Sequence, residues 1–134
     1  EMTDLRITDL EQLIARLEAA SVGSLELSAE IERDVVGHMV HEWPFWFRAT
    51  SFDDIENSAV VPGIPYTESL DAAVTLRPEG CSSWELDWNG HTGALQGKPY
   101  CVTVYLGGSS KQHDGHAATP SLAYCIAALK ARLA

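Results

Sequence analysis

Residues 118–134, Ala-Thr-Pro-Ser-Leu-Ala-Tyr-Cys-Ile-Ala-Ala-Leu-Lys-Ala-Arg-Leu-Ala, carry every signal of a complete helix. Thr119 can cap free backbone N–H groups, and Pro120 suits the first helical position, where no N–H is needed. Leu122, Ile126, Leu129 and Leu133 recur at helical spacing with Cys125 beside them, so one face is expected to be buried. Lys130 and Arg132 fall in the last turns, where cations meet the negative end of the helix dipole.

Upstream of that helix the period changes. Residues 107–117, rich in Gly and Ser at their start, read as a loop that delivers the chain into it. Tyr100 to Leu106 alternates Val102, Val104 and Leu106 against Cys101, Thr103 and Tyr105, which predicts a strand. Trp84, Leu86 and Trp88 alternate with Glu85 and Asp87 in the same way. The following Asn89-Gly90 is the pair that a two-residue hairpin turn favours, because both central residues need positive φ. That turn would set Trp84 opposite Leu95 and Leu86 opposite Gly93, with Gly97-Lys98-Pro99 turning the chain into a third antiparallel strand. Thr67 is placed to cap a short helix through Leu70, Ala73 and Val74, stopped by Pro78-Glu79-Gly80.

The front of the chain reads as a helical hairpin. Thr8 and Glu11 have capping-box spacing ahead of Leu10, Leu13, Ile14 and Leu17, which predicts a helix over 8–20. Ser28 is expected to cap a second helix with Ile31, Val35, Val36, Met39 and Val40 on its apolar stripe and Glu30, Glu32, Arg33 and Asp34 in water, ending near Trp43-Pro44. Residues 45–65 keep no period; a stretch of this length is functional, mobile, or hides a short strand. One domain over 1–134 is expected: a hairpin (1–44), an irregular aromatic-rich segment (45–65) and an α-β-β-β-α unit (66–134). The fold class is α+β within the broad α/β group, a three-stranded antiparallel sheet with helices packed on it. The N-terminal hairpin is expected over the second sheet face, as a layered α/β/α sandwich.

With 134 residues, 46% of them hydrophobic, the chain can bury a core without metal or disulfide support. Cys81, Cys101 and Cys125 show no Cys-x-x-Cys spacing and are expected as buried thiols. No run of about 20 apolar residues could span a bilayer, and the expected compartment is the cytoplasm. The net charge of −10 lies mainly in residues 1–60, with thirteen acids against four Lys or Arg. Nucleic-acid binding rests on Lys and Arg neutralising phosphates, so it is not expected. The helix–strand–strand–strand–helix order is that of a double-stranded RNA-binding domain, but no Lys cluster stands before the last helix.

Residues with catalytic or binding chemistry are few. His113, Asp114 and His116, with His91, could in principle supply metal ligands. His38, His41 and Glu42 match neither zinc-protease helix pattern. Gly107 to Lys111 lacks the spacing of a phosphate loop, and no serine or cysteine sits in a nucleophile signature. No catalytic residue and no cofactor are assigned. Trp43, Phe45, Trp46 and Phe47 place four aromatics in five residues, more apolar area than a surface loop needs. They are expected to fold back as a lid or to dock on another chain.

Three segments carry a family resemblance: residues 10–20, LEQLIARLEAA; residues 65–73, PYTESLDAA; and residues 118–123, ATPSLA, with 125–129, CIAAL. Together they resemble the phage alpha–beta–alpha sandwich domain proteins, small proteins of bacteriophages and prophages. The resemblance implies a layered fold and a bacterial host cytoplasm, and brings no catalytic residues with it. The leading expectation is a small non-catalytic accessory protein acting through a protein partner or as a homo-oligomer. The alternatives are a metal-dependent or nucleotide-processing enzyme using the histidine cluster, or an acidic nucleic-acid mimic that inhibits a host protein.

Overall fold

The computed structural model describes residues 4–36, 45–47, 60–62, 64–88, 97–107 and 111–133. Its centre is the last helix, α4 (Pro120–Leu133), which starts where the sequence places it: the Leu122 N–H donates to the Thr119 hydroxyl at 3.3 Å. Leu122, Ile126 and Leu129 are fully buried as expected, but so are Ala123, Tyr124, Cys125, Ala127 and Ala128. Residues 121–129 of the helix are therefore enclosed all round. Its alanines are what allow this, since a methyl group lets a neighbouring backbone approach where a longer side chain would hold it away.

Three antiparallel strands, β3 (Cys81–Trp88), β4 (Tyr100–Leu106) and β5 (Gln112–Ala117), form the sheet in the order β3-β4-β5. β3 pairs with β4 from Trp84 opposite Val104 to Trp88 opposite Tyr100, with a bulge between Cys81 and Ser83. On this side Trp84 has Val104 as its partner and Leu86 has Val102, whereas the two-residue hairpin expected at Asn89-Gly90 involves Gly93 and Leu95. Residues 89–96 themselves lie outside the described part. The third strand is also new. Residues 112–117, expected as loop, pair with β4 from Tyr105 opposite Gln112 to Tyr100 opposite Ala117.

β5 is a strand because of what it lacks. A Cβ on Gly115 would overlap the Ala123 carbonyl oxygen and stand 2.6 Å from the Ala127 nitrogen, so only glycine lets α4 lie directly on this strand. Glycine and the following Ala117 hid the strand from any hydrophobic pattern while serving its packing.

The first helix, α1, runs Asp4–Ala19, so Thr8 lies within it and does not cap it. Its stripe of Leu10, Leu13, Ile14 and Leu17 is buried as expected. Lys130 of α4 reaches Glu18 at 3.3 Å. α1 meets α4 and β5, so this helix helps enclose α4 instead of forming a separate layer over the opposite sheet face. The class is as read from the sequence: mixed α and β, with helices packed on a three-stranded antiparallel sheet.

Ser24, not Ser28, caps α2 (Leu25–Ile31), accepting from the Leu27 N–H at 3.1 Å. A π-helical turn, Glu32–Val36, follows. The wider turn breaks the 3.6-residue period, and Glu32, expected in water, is fully buried with the Tyr66 hydroxyl donating to it at 2.8 Å. Two short strands, β1 (Phe45–Phe47) and β2 (Val60–Pro62), pair antiparallel inside the stretch that shows no period. α3 (Leu70–Ala73) continues as a 3₁₀ turn, Val74–Leu76, and is capped by Ser69, whose hydroxyl accepts from the Ala72 N–H at 3.3 Å.

Thr67, expected to be that cap, serves elsewhere. Its hydroxyl donates to the Ser24 carbonyl at 2.8 Å and accepts from the Ser24 N–H at 2.9 Å. The Ser28 hydroxyl accepts from the Thr67 N–H at 3.1 Å and lies 2.9 Å from the Thr67 hydroxyl, to which it must donate, since the Thr67 proton is already committed to Ser24. Ser121 at the start of α4 donates to the Thr67 carbonyl at 2.9 Å. One buried threonine thus ties the starts of α2 and α4 together, and Gly23 is required beside it, because a Cβ there would overlap the Thr67 carbonyl.

Candidate functional site

The pleat gives the sheet two chemically different faces. On the inner one, Trp84, Val104 and His113 form a row, then Leu86, Val102 and Gly115, then Trp88, Tyr100 and Ala117. α4 lies across β5 and β4. It approaches β3 through Tyr124, whose ring meets Trp84 edge-on with centroids 5.1 Å apart. Toward the far end of β3, beyond that contact, Leu86 is 38% exposed and Trp88 55%.

On the outer face the rows are Ser83, Tyr105 and Gln112; Glu85, Thr103 and Asp114; and Asp87, Cys101 and His116. Every one of these nine positions is polar or a thiol, and none is Lys or Arg. Thr103 donates to Asp114 at 2.8 Å, and the Tyr105 phenol donates to Glu85. That bond, with burial and the charges of Glu85, Asp114 and Asp87, holds the Tyr105 pKa above its ordinary value. The Cys101 sulfur lies 3.9 Å from His116 Nε2. Burial pushes the Cys101 thiol up, and Asp114 and Asp87 push it further. A nucleophilic cysteine needs the opposite, a depressed pKa in an electropositive setting, so this pair is not arranged for thiolate chemistry.

The strand also separates the histidines. His113 and His116 are three residues apart on β5, which puts them on opposite faces: His113 looks toward the α4 side, its Nε2 atom buried without a hydrogen-bond partner, and His116 looks outward. Asp114 shares the outer face with His116. His91 lies outside the described residues. Among the described residues, no three His, Cys, Asp or Glu side chains converge in a group that could hold a metal ion.

Of the aromatic segment, Phe45, Trp46 and Phe47 form β1, opposite Pro62, Val61 and Val60 respectively. Trp43, like His38, His41 and Glu42, lies outside the described residues.

Two clefts are lined by described residues alone. One, of about 460 Å³, opens between Gly23, Thr67, Leu70 and Pro120. Its Thr67 and Ser121 already bond each other, so they offer a ligand little to recognise. The other, of about 280 Å³, lies among Asp9, Arg16, Glu30, Arg33 and Asp34, where Arg16 pairs with Glu30 and Arg33 with Asp34.

The residues that sequence reasoning missed are those on β3. Leu86 and Trp88 are legible as an apolar strand face, but nothing in a single sequence tells that the covering helix stops short of them. Among the described residues, no helix is long and apolar enough to cross a membrane. Compared with known proteins, the chain matches no family model, no curated protein and no solved structure.

Proposed function

We propose that this chain is a small non-catalytic accessory protein, of phage or prophage origin as the quoted segments imply, that acts by contact with another protein. The observation that supports this reading is the far end of β3, where Leu86 and Trp88 are both partly exposed on one face. Large apolar side chains left adjacent and exposed beside a packed core are the usual mark of a contact surface. The acidic charge works in the same direction by keeping the free chain soluble until a partner arrives.

Photocrosslinking tests the reading. A photoreactive phenylalanine analogue replaces Trp88 in one sample and the exposed Thr75 in a control, and both are exposed to bacterial lysate. A discrete adduct from position 88 alone supports a partner at β3. Size-exclusion chromatography with light scattering, with and without Trp43→Ala and Trp46→Ala, reads self-association through the aromatic segment. A monodisperse monomer with no adduct specific to position 88 overturns the proposal.

A further inference from the structure

On the outer face of the sheet one row carries a polar donor on each strand: Asp87 on β3, Cys101 on β4 and His116 on β5. Within that row the Cys101 sulfur lies 3.9 Å from His116 Nε2. As a hydrogen bond this is long and weak, since a thiol is a poor donor. As the span of a bridging ion it fits. A first-row metal stands about 2.3 Å from a thiolate sulfur and about 2.0 Å from an imidazole nitrogen, so two donors of one ion lie about 3.5 Å apart at a tetrahedral angle and about 4.3 Å apart when opposite. The observed separation falls inside that window, so neither strand has to shift to admit the ion.

The surroundings suit a cation. Burial, with the charges of Asp114 and Asp87, keeps the free thiol protonated. The same carboxylates attract a positive ion, and once it displaces the proton they stabilise the sulfur–metal unit in place of opposing a bare thiolate. Thr103 donates to Asp114 at 2.8 Å, which fixes that carboxylate on the face. Lys130, whose charge also reaches the thiol, is paired with Glu18 at 3.3 Å. Cys101 is buried and His116 half-buried, so an ion enters past the imidazole and is shielded on its sulfur side.

The number of donors selects the ion. Among the described residues no third His, Cys, Asp or Glu converges with this pair. Zinc takes three or four protein ligands, and calcium and magnesium take oxygen. A soft monovalent ion is satisfied by two donors, and thiolate is the ligand it prefers.

We propose that Cys101 and His116 form a two-donor site for a soft monovalent cation, Cu(I). On binding, the thiol proton leaves to solvent, a sulfur–copper bond forms, and the lone pair of Nε2 makes the second bond with the ring proton held on Nδ1; copper stays monovalent throughout. The site lies on the sheet face opposite Leu86 and Trp88, so it is independent of the protein-contact reading above.

The test titrates the full chain with Cu(I) under anaerobic conditions against a chromophoric Cu(I) chelator. The expected result is one equivalent bound, with copper absorption spectroscopy showing one sulfur and one nitrogen neighbour. Nuclear magnetic resonance should show the Cys101 Cβ and the His116 ring shifting while Cys81 and Cys125 stay in place. Cys101→Ser should abolish binding, and His116→Gln should weaken it at least about tenfold, the least that losing even an outer partner of a metal ligand costs. His113→Gln, on the other face, should leave the affinity unchanged. If a variant fails to fold, the wild-type spectra decide alone. No stoichiometric uptake, copper held through Cys81, Cys125 or histidines alone, full binding by Cys101→Ser, or Zn(II) competing on equal terms would overturn the proposal.

Discussion

Replacing Thr67 by valine is the sharpest probe of the core, because the substitution keeps the volume of the side chain and changes one oxygen to a methyl group. The threonine is fully buried, and its hydroxyl makes three hydrogen bonds between 2.8 and 2.9 Å. In the valine variant the Ser24 carbonyl still receives the Ser28 N–H at 3.0 Å, so it stays satisfied. The Ser28 hydroxyl and the Ser24 N–H do not. A buried donor left unpaired costs about 1–3 kcal/mol. Ser24 is only part-buried and falls at the low end, and the new methyl is pressed closer to its neighbours than the roughly 3.5 Å of an ordinary carbon contact. The expected loss is about 3 kcal/mol. With an unfolding entropy of roughly 0.3 kcal/mol/K for a chain this long, Tm falls by about 10 °C. Thr67→Ser is the control: it keeps the hydroxyl and removes one methyl, at about 1 kcal/mol. Thermal denaturation followed by circular dichroism, with urea midpoints at fixed temperature, reads both variants. A valine variant that melts at or above the serine variant would refute the network.

Three further outcomes follow from the same packing. Gly115→Ala should cost about 3 kcal/mol or prevent folding, because its methyl must displace α4 from β5, whereas Gly107→Ala, whose Cβ would meet the exposed Ser82 side chain at 3.3 Å and the Gly80 carbonyl at 3.5 Å, should change the urea midpoint little. Tyr124→Phe should stabilise the fold by about 1 kcal/mol in the same assay, since the Tyr124 hydroxyl is buried without a partner and the edge-on contact to Trp84 survives its removal; a loss of 1 kcal/mol or more would show that the hydroxyl is bonded. Stability should also fall at alkaline pH. Burial raises the thiol of Cys125 above 9.0 and, with the bond to Glu32, the phenol of Tyr66 above 10.0, and pushes Tyr124 up to about 12. The folded state then holds protons that the unfolded chain releases, so this contribution is complete below about pH 9 and is lost above it. A urea midpoint that stays flat to pH 11 would contradict these shifts.

How much of this was legible depends on what each residue is asked to do. α4 announces itself because Thr119, Pro120 and the Leu-Ile stripe all act locally, and β3 and β4 because large residues alternate. β5 is silent for the opposite reason: Gly115 and Ala117 are small so that a helix can rest on them, and the usable signal is their pairing with Ala123, Ala127 and Ala128 far along the chain. The pairing of Trp84 with Val104 is chosen by sheet packing, on which Asn89-Gly90 does not report, and the hairpin expected at that pair lies outside the described residues. Thr67 and Ser28 each look like caps, since a lone hydroxyl before an apolar run has that meaning locally. In the fold, Ser69 and Ser24 take the caps and free the other two for the buried junction. The histidine candidates were drawn together by closeness in sequence, which the strand converts into opposite directions.

Placing the structural keystone after the elements that pack on it has a consequence for biosynthesis. Until Pro120–Leu133 has left the ribosome, the hydrophobic stripe of α1 and the inner side of β4 have no common surface to close upon. Contacts bridging about a hundred residues must then form almost at once, which delays commitment and leaves the nascent polypeptide sticky until α4 is made. The acidic residues concentrated in residues 1–60, which are made before α4, supply mutual repulsion during that interval.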